Sequence, residues 1–353
     1  MFAFAIWDRL KKTLTLARDR VGEKPLYYGF LNGQFVFSSK LKSIKILKNV
    51  GLEKNLNAMN LMVKFGYVPS PLSIYKNIFK LLPGSIIEIS NKTKSIENFL
   101  WWKNNFKNGS SENPIEFEQE LHGILRMAVK EQMLSDVPLG AFLSGGIDSS
   151  LIVSLMQEQS LKKIKTFTIG FTETEFNEAK YAKKVSNILG TDHNEFYFSP
   201  KDVINLIPKI PFIYDEPFAD SSQIPTMLIS QLSRKHVKVC LSGDGGDELF
   251  GGYNRYLWSN SIIKNFEKIP IKYRNFLSFC CKGCSEDTLT KTFNLFSKFI
   301  PENYRFNNFG DKLHKFCELI KFSSKEDLYL KMISQWQEEL SQSQSGEINK
   351  ILD

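Results

Sequence analysis

The chain has 353 residues, 42% of them hydrophobic and 24% charged, the proportions of an ordinary globular protein long enough for two domains. Its net charge of +8 is spread through stretches such as KKTLT, SLKKIKT and KHVK, with no block of five basic residues, which argues for a lysine-rich surface and against a nucleic-acid partner. No run of 18 apolar residues is present, and the opening MFAFAIWDRLKK is too short and too quickly charged for a secretory signal, so a cytoplasmic protein with no membrane partner is expected.

Residues 1 to about 100 read as short strands with tight turns. FAFAIWD alternates, TLTLARD follows, and PLYYGF is joined to QFVFSS through Asn32-Gly33, a strong hairpin signal. GSIIEIS, led in by Pro83-Gly84, is a further strand. The polar stretch KNNFKNGSSENP looks like a linker, giving an expected division into 1–104, a linker at 105–114, and 115–353.

After the linker the periodicity changes. Phe117, Leu121, Ile124, Leu125, Ala128 and Val129 recur at helical spacing. Next come a strand (LGAFL), a helix (SSLIVSLMQEQ), a strand (KTFTIGF), a helix (EAKYAKKVSNILG) and a strand (NEFYF); further on, the helix PTMLISQLSRK leads into the strand VKVCL. Strands alternating with helices of about a dozen residues imply an α/β domain with a parallel sheet covered on both faces. From about residue 258 the pattern is helical and aromatic-rich. Its CCKGC, with Cys280, Cys281 and Cys284, has only Cys317 and His314 as a second ligand pair, and is read as reduced cysteines in an amphipathic segment rather than a metal site.

Two loops carry the chemistry. AFLSGGIDSS (141–150) sets a glycine pair at the end of a buried strand, where parallel sheets bind ligands. Gly145 and Gly146 allow close backbone approach, the following helix start favours an anion, and Ser144, Ser149 and Ser150 add hydroxyls. Asp148 would repel a phosphate unless a cation stands between them, so a Mg²⁺-bound phosphate is implied. The G-K-[ST] ending of a Walker A loop is missing. LSGDGGDELFGGY (241–253) follows VKVCL in the same way. Its three carboxylates, Asp244, Asp247 and Glu248, fail the calcium-loop spacing. Two such loops from one sheet would face each other across a nucleotide, with Asp148 and Asp247 sharing Mg²⁺.

SGGIDSS, TFTIGF and SGDGGDELFGGY together resemble the PP-loop ATP pyrophosphatase domain, a Rossmann-like α/β fold, of glutamine-hydrolysing asparagine synthetases. MFAFAIWD, ARDRVGEKPLYYG, FSSKLKSI, VPSPLSIYKNIFKLLPGS and FLWW resemble the latter part of that family's α+β N-terminal-nucleophile glutaminase domain, so this region is expected to be a partial one. The resemblance implies ATP-dependent amidation of aspartate through β-aspartyl-AMP, with glutamine or ammonia as nitrogen donor. It implies adenosine contacts at Leu143 and Ile169, a pyrophosphate cradle over Ser144, Gly145, Gly146, Asp148, Ser149 and Ser150, and an α-phosphate position at Ser242 and Gly243. Asp244 stands where many members carry the glutamate linked to forming the intermediate and accepting a proton from ammonia; it is one methylene shorter. Asp19 matches the carboxylate that grips the glutamine α-amino group. DEPFADSSQIPT (215–226) either lines the aspartate pocket or is a helix start capped by Ser221 or Ser222.

Glutaminase chemistry of this class needs an N-terminal cysteine nucleophile, whereas the first cysteine here is Cys240, in a strand expected to be buried, and no glutamine hydrolysis is expected of the chain as it stands. The family's lysine ahead of an R-V-P-F-L-D-like stretch is not found in 254–353. A fragment is therefore expected at both ends, the synthetase part C-terminally incomplete. Three readings stay open: an asparagine-synthetase-type ligase, a relative amidating another carboxylate such as a polysaccharide uronic acid, and an inactive nucleotide-binding fragment. A homodimer or a complementing chain stays open with them.

Overall fold

The computed structural model describes residues 1–47, 51–90, 95–105, 113–171, 178–296 and 308–336. Two compact units are present, Met1–Asp244 and Gly245–Gln337. The expected linker at 105–114 lies, from 106 to 112, outside the described residues.

The first region is built from strands β1 (Ala3–Asp8), β2 (Thr13–Arg18), β3 (Tyr27–Leu31), β4 (Gln34–Ser38), β5 (Ile78–Lys80), β6 (Ser85–Ser90) and β7 (Ile96–Leu100), with helices α1 (Leu41–Lys45) and α2 (Leu56–Phe65) between β4 and β5. They form an antiparallel sheet of order β1-β2-β6-β7 and a second of order β4-β3-β5. The hairpin turn at Asn32-Gly33 has positive φ at both residues, 51° and 77°, the type I′ geometry that matches strand twist. Alternation along β3 sorts its two faces. Tyr28 packs with Leu16, Ile87 and Ile89 of the first sheet, while Tyr27 and Leu31 pack with Leu41 and Ile44 of α1. The result is three layers: sheet, sheet, helix. Strands β5 and β7 and helix α2 are not among the expected elements. IFK is too short to show a period, IENFL is exposed throughout, and the helix LNAMNLMVKF follows a polar stretch with only Asn55 as its cap.

The second region opens with α3 (Pro114–Gln132) and continues β8 (Leu139–Phe142), α4 (Ile147–Glu158), β9 (Lys165–Phe171), α5 (Ala179–Leu189) and β10 (Asp192–Phe198). After the short helices α6 (Pro200–Ile204) and α7 (Ile210–Ile213), α8 (Gln223–Ser233) leads to β11 (Val239–Leu241). All strand pairs are parallel, in the order β10-β9-β8-β11. The chain thus steps outward from β8 to β10 and returns to the other side of β8, so the strand order reverses between β8 and β11. Ligands of open parallel sheets bind beside the carboxyl ends of the strands at such a reversal. The core under this sheet joins Val129 of α3, Ala141 and Leu143, Val153, Leu155 and Met156 of α4, and Ala182 of α5. Of the stripe expected on α3 only Val129 is buried, with Leu121 and Leu125 partly so; Phe117 and Ile124 are more than half exposed. Only the last turns of that helix reach the sheet.

The second unit is helical: α9 (Gly246–Phe250), α10 (Asn254–Phe266), α11 (Ile271–Lys282), α12 (Glu286–Phe296), α13 (Phe309–Leu319) and α14 (Lys325–Ile333). Its core gathers Ile262, Ile320, Phe322 and Leu328. Buried Arg274 donates to the carbonyls of Ile269, Ile320 and Phe322. Cys317 is buried, and burial together with neighbouring Cys281 holds its thiol well above the usual range. His314 meets the carbonyl of Cys284 and stands 3.3 Å from Glu286. No group of three or more metal-ligating side chains occurs among the described residues. Nor is any described helix long and apolar enough to cross a membrane.

In the first region Arg18 closes the turn between β2 and β3. Its guanidinium donates to the carbonyls of Leu81 at 2.6 Å, Gly22 at 2.6 Å and Lys24 at 2.8 Å. Arg18→Met strands these acceptors, and should lower stability by about 3 kcal/mol in urea titration; a loss below about 1 kcal/mol would show that the three bonds are replaced by water.

Candidate active site

β8 ends at Phe142, and Leu143 extends the ladder by donating its N–H to the carbonyl of Phe167 at 2.9 Å. Leu143 is buried; Ile169, two residues further along β9, is half-buried at the same end of the sheet. The chain then leaves the sheet through Ser144-Gly145-Gly146. Gly145 has φ +85°, and a Cβ there would lie 2.6 Å from the Ala182 nitrogen and 2.7 Å from the Tyr181 Cβ. Only a hydrogen atom lets the turn lie this close to α5. Gly146 is the N-cap of α4 and, having no side chain, leaves the helix start without a side-chain cap, so its first N–H groups keep their donor capacity.

The serines divide the work. Ser144 and Ser149 hydroxyls meet at 2.9 Å, Ser149 Oγ accepts the Ser144 N–H at 3.2 Å, and Ser144 Oγ accepts the Gly146 N–H at 3.2 Å. This pair locks the turn in shape. Ser150 Oγ is buried with no hydrogen-bond partner among the described residues, a cost that a ligand oxygen at this helix start would remove. Asp148 lies in the first turn of α4, half-buried.

β11 delivers the second loop. Ser242 Oγ donates to Asp244 Oδ2 at 2.9 Å, which fixes the carboxylate beside its own turn. Gly243 is pressed against the first: a Cβ on it would lie 2.7 Å from the Ser149 nitrogen and 2.9 Å from the Asp148 Cβ. Leu143 to Ser150, Ser242, Gly243 and Asp244 therefore form one continuous wall at the strand-order reversal, with Ile169 on the neighbouring strand. Its donors suit a polyphosphate, and its one first-turn carboxylate offers the hard oxygen that Mg²⁺ takes. The loop's other carboxylates belong to the second unit. There Asp247 packs against Gly252, and Glu248 accepts the Tyr253 hydroxyl at 2.6 Å, which together with burial pushes Tyr253 up to about 12.

Asp19 stands in the first region, 4% exposed. Its carboxylate accepts N–H groups of Phe2, Glu23 and Lys24 at 3.1, 2.8 and 3.0 Å. Burial works to raise it, but the backbone bonds outweigh that and hold it below the usual carboxylate range. Cys240 lies on an edge strand rather than a buried one and is half-buried; burial still pushes its thiol up against the opposing bond with Ser233, which leaves a poor nucleophile.

The DEPFADSS segment is placed differently from either expectation at its start. Asp215 and Glu216 bond to the first region, and Ser222 makes no side-chain cap for α8; its N–H is held instead by Asp220 Oδ1 at 2.7 Å. Nothing in the local pattern marks those two carboxylates, because their partners, near residues 41, 74 and 80, are more than a hundred positions away.

A family model described as asparagine synthase matches residues 120–352, and one described as a glutamine amidotransferase domain matches residues 1–102. A Methanocaldococcus jannaschii protein named putative asparagine synthetase [glutamine-hydrolyzing] 2 is 43% identical over 265 residues, 73% of this chain and 50% of its own length. Asparagine synthetase [glutamine-hydrolyzing] 1 of Bacillus subtilis is 40% identical over 270 residues, 76% of this chain and 42% of its own. The chain thus spans about half the length, 50% and 42%, of the curated relatives it matches. Among solved structures, an NH3-dependent NAD synthetase from Campylobacter jejuni overlaps 63% of this chain and 99% of its own at 11% identity, with a TM-score of 0.30, too low to bear on the site.

Two glycines separate close approach from backbone strain. Gly190, the C-cap of α5, has φ +69° with nothing within 4 Å of an added methyl, whereas Gly145 has both a positive φ and a collision. Gly190→Ala should cost about 1 kcal/mol and Gly145→Ala at least ~3 kcal/mol in thermal unfolding; equal costs would mean the 144–146 turn is free to move off α5.

Proposed function

The chain belongs to the asparagine synthase family, and from that premise we propose that it is an ATP-dependent amide ligase, converting aspartate to asparagine with glutamine or ammonia as nitrogen donor. The observation that carries this reading is the contact of Gly243 with the first turn of α4, which joins two glycine loops at the carboxyl edge of one parallel sheet.

In this reading the ATP substrate lies along the wall. Leu143 and Ile169 receive the adenosine through their backbone, and Ser144, Gly145, Gly146, Asp148, Ser149 and Ser150 hold the departing pyrophosphate. Ser242 and Gly243 stand at the α-phosphorus. The acceptor carboxylate attacks that phosphorus, the bond to pyrophosphate breaks, and the uncapped N–H groups of α4 meet the charge that develops on the leaving oxygens. Mg²⁺, when bound, neutralises phosphate charge, and Asp148 would hold it. Asp244, oriented by Ser242, assists formation of the aspartyl-adenylate and takes the proton that ammonia must lose as it attacks the acyl carbon and displaces AMP. Asp19 is the proposed contact for the glutamine ammonium: a carboxylate has about four acceptor positions, and three are engaged by backbone. A cytoplasmic location fits a ligase supplied with ATP.

Calorimetry of the purified chain should detect ATP only in the presence of Mg²⁺, and Asp148→Asn should weaken that binding at least about tenfold, or ~1.4 kcal/mol. With ATP, aspartate and ammonia, AMP and pyrophosphate should appear in equal amounts. Metal-independent binding, or ADP in place of AMP, would overturn the assignment.

A further inference from the structure

Asp215 and Glu216 precede an exposed loop, residues 217–222, that leads into α8. Because α8 connects to a strand running parallel to β8, it must start at the carboxyl edge of the sheet, the same edge that carries the 144–150 and 242–244 loops. The loop before α8 therefore belongs to the ligand-binding rim, yet the residues that fix its entrance are spent on the first region. Glu216 Oε2 stands 2.6 Å from the Lys80 ammonium of β5, and Oε1 accepts the Ile74 N–H at 2.8 Å, with both charged side chains largely buried. Asp215 Oδ2 accepts the N–H of Leu41, the first residue of α1, at 2.8 Å, and Lys42 lies 3.7 Å from its other oxygen. Four residues on, the Ala219 N–H donates to the carbonyl of Gly66, the C-cap of α2, at 2.8 Å.

Two carboxylates and a backbone bond within five residues thus pin this entrance to β5, α1 and α2. A buried ion pair is a poor source of net stability but a good way to specify one register, since any other arrangement leaves a charge uncompensated. From the loop inward the path is stiff: Gln223 Nε2 donates to the Phe218 carbonyl at 3.2 Å, and α8 packs on β9.

We infer that Asp215 and Glu216 are an inter-region latch, through which the amidotransferase-type region positions the 217–222 loop for the acceptor carboxylate at the ligase site. They are positioning residues, acting through the loop rather than on the reacting atoms. The inference rests on the ligase reading for its substrate, but the latch itself is tested without it.

Full-length Glu216→Gln keeps an acceptor for Ile74 and removes the charge facing Lys80; the double variant Glu216→Gln with Lys80→Met is neutral and leaves no buried unpaired cation. Hydrogen exchange of the 218–222 amides should accelerate about tenfold or more in both, with Mg·ATP affinity within twofold of the parent chain. In the ammonia-dependent reaction the KM for the acceptor carboxylate should rise about tenfold with kcat changed less than threefold, and Glu216→Asp should recover part of that KM. Unchanged exchange in both variants would overturn the latch. Faster exchange with an unaltered acceptor KM would overturn its role in positioning. If the parent chain bound no Mg·ATP, the ligase reading would fall while the exchange result still decided the latch.

Discussion

The site depends on one contact in which a side chain has been dispensed with. Residue 243 lies so close to the backbone of Asp148 and Ser149 that a single methyl group would force the two loops apart. Because it is glycine, the loop after β11 and the helix start after β8 become one surface, and donors from two separate strands converge. Everything upstream serves that convergence. Parallel strands bring both loops to the same edge, the reversal of strand order puts β8 beside β11, and Gly145 lets the first loop fold down onto α5 instead of into the space between them.

Around this surface the molecule manages its buried polar groups mainly with backbone. Arg18 is matched by three carbonyls, Asp19 by three N–H groups, and Arg274 by three carbonyls in the helical unit. Such partners come with the fold and cannot be lost by a rotamer change, so these ions act as fixed braces for turns. The Lys80–Glu216 pair is of another kind, since each charge relies on a side chain from a distant part of the sequence. It makes the first region and the parallel-sheet region answerable to one another.

How much of this could be read from residues alone follows from the range of the forces involved. The hairpin at Asn32-Gly33 and the alternation LGAFL, SSLIVSLMQEQ, KTFTIGF are local signals, and the strands and helices stand where they point. The glycine loops were legible because close backbone approach leaves a residue-type signature. The tertiary consequences were less so. A stripe on α3 announces a helix, but not that only its last turns meet the sheet. Ser222 looks like a cap and makes no capping bond: the residue three further on, where the cap's acceptor would look for an N–H, is Pro225, and the Ser222 N–H itself goes to Asp220. Asp215 and Glu216, hydrophilic beside a proline, give no hint that they are half-buried against α1 and β5.

The two walls of the site are unequally anchored. β9 is seven residues long and paired on both sides, with four of its residues buried and none exposed, whereas β11 has three residues, pairs among the described residues only with β8, and exposes Val239 to solvent. Short edge segments with few buried contacts are the first to open in a folded protein. Fraying here would therefore carry Ser242, Gly243 and Asp244 away from α4 while the 144–150 turn stayed seated, so the cleft has a hinge side and a fixed jaw built into the lengths of its strands.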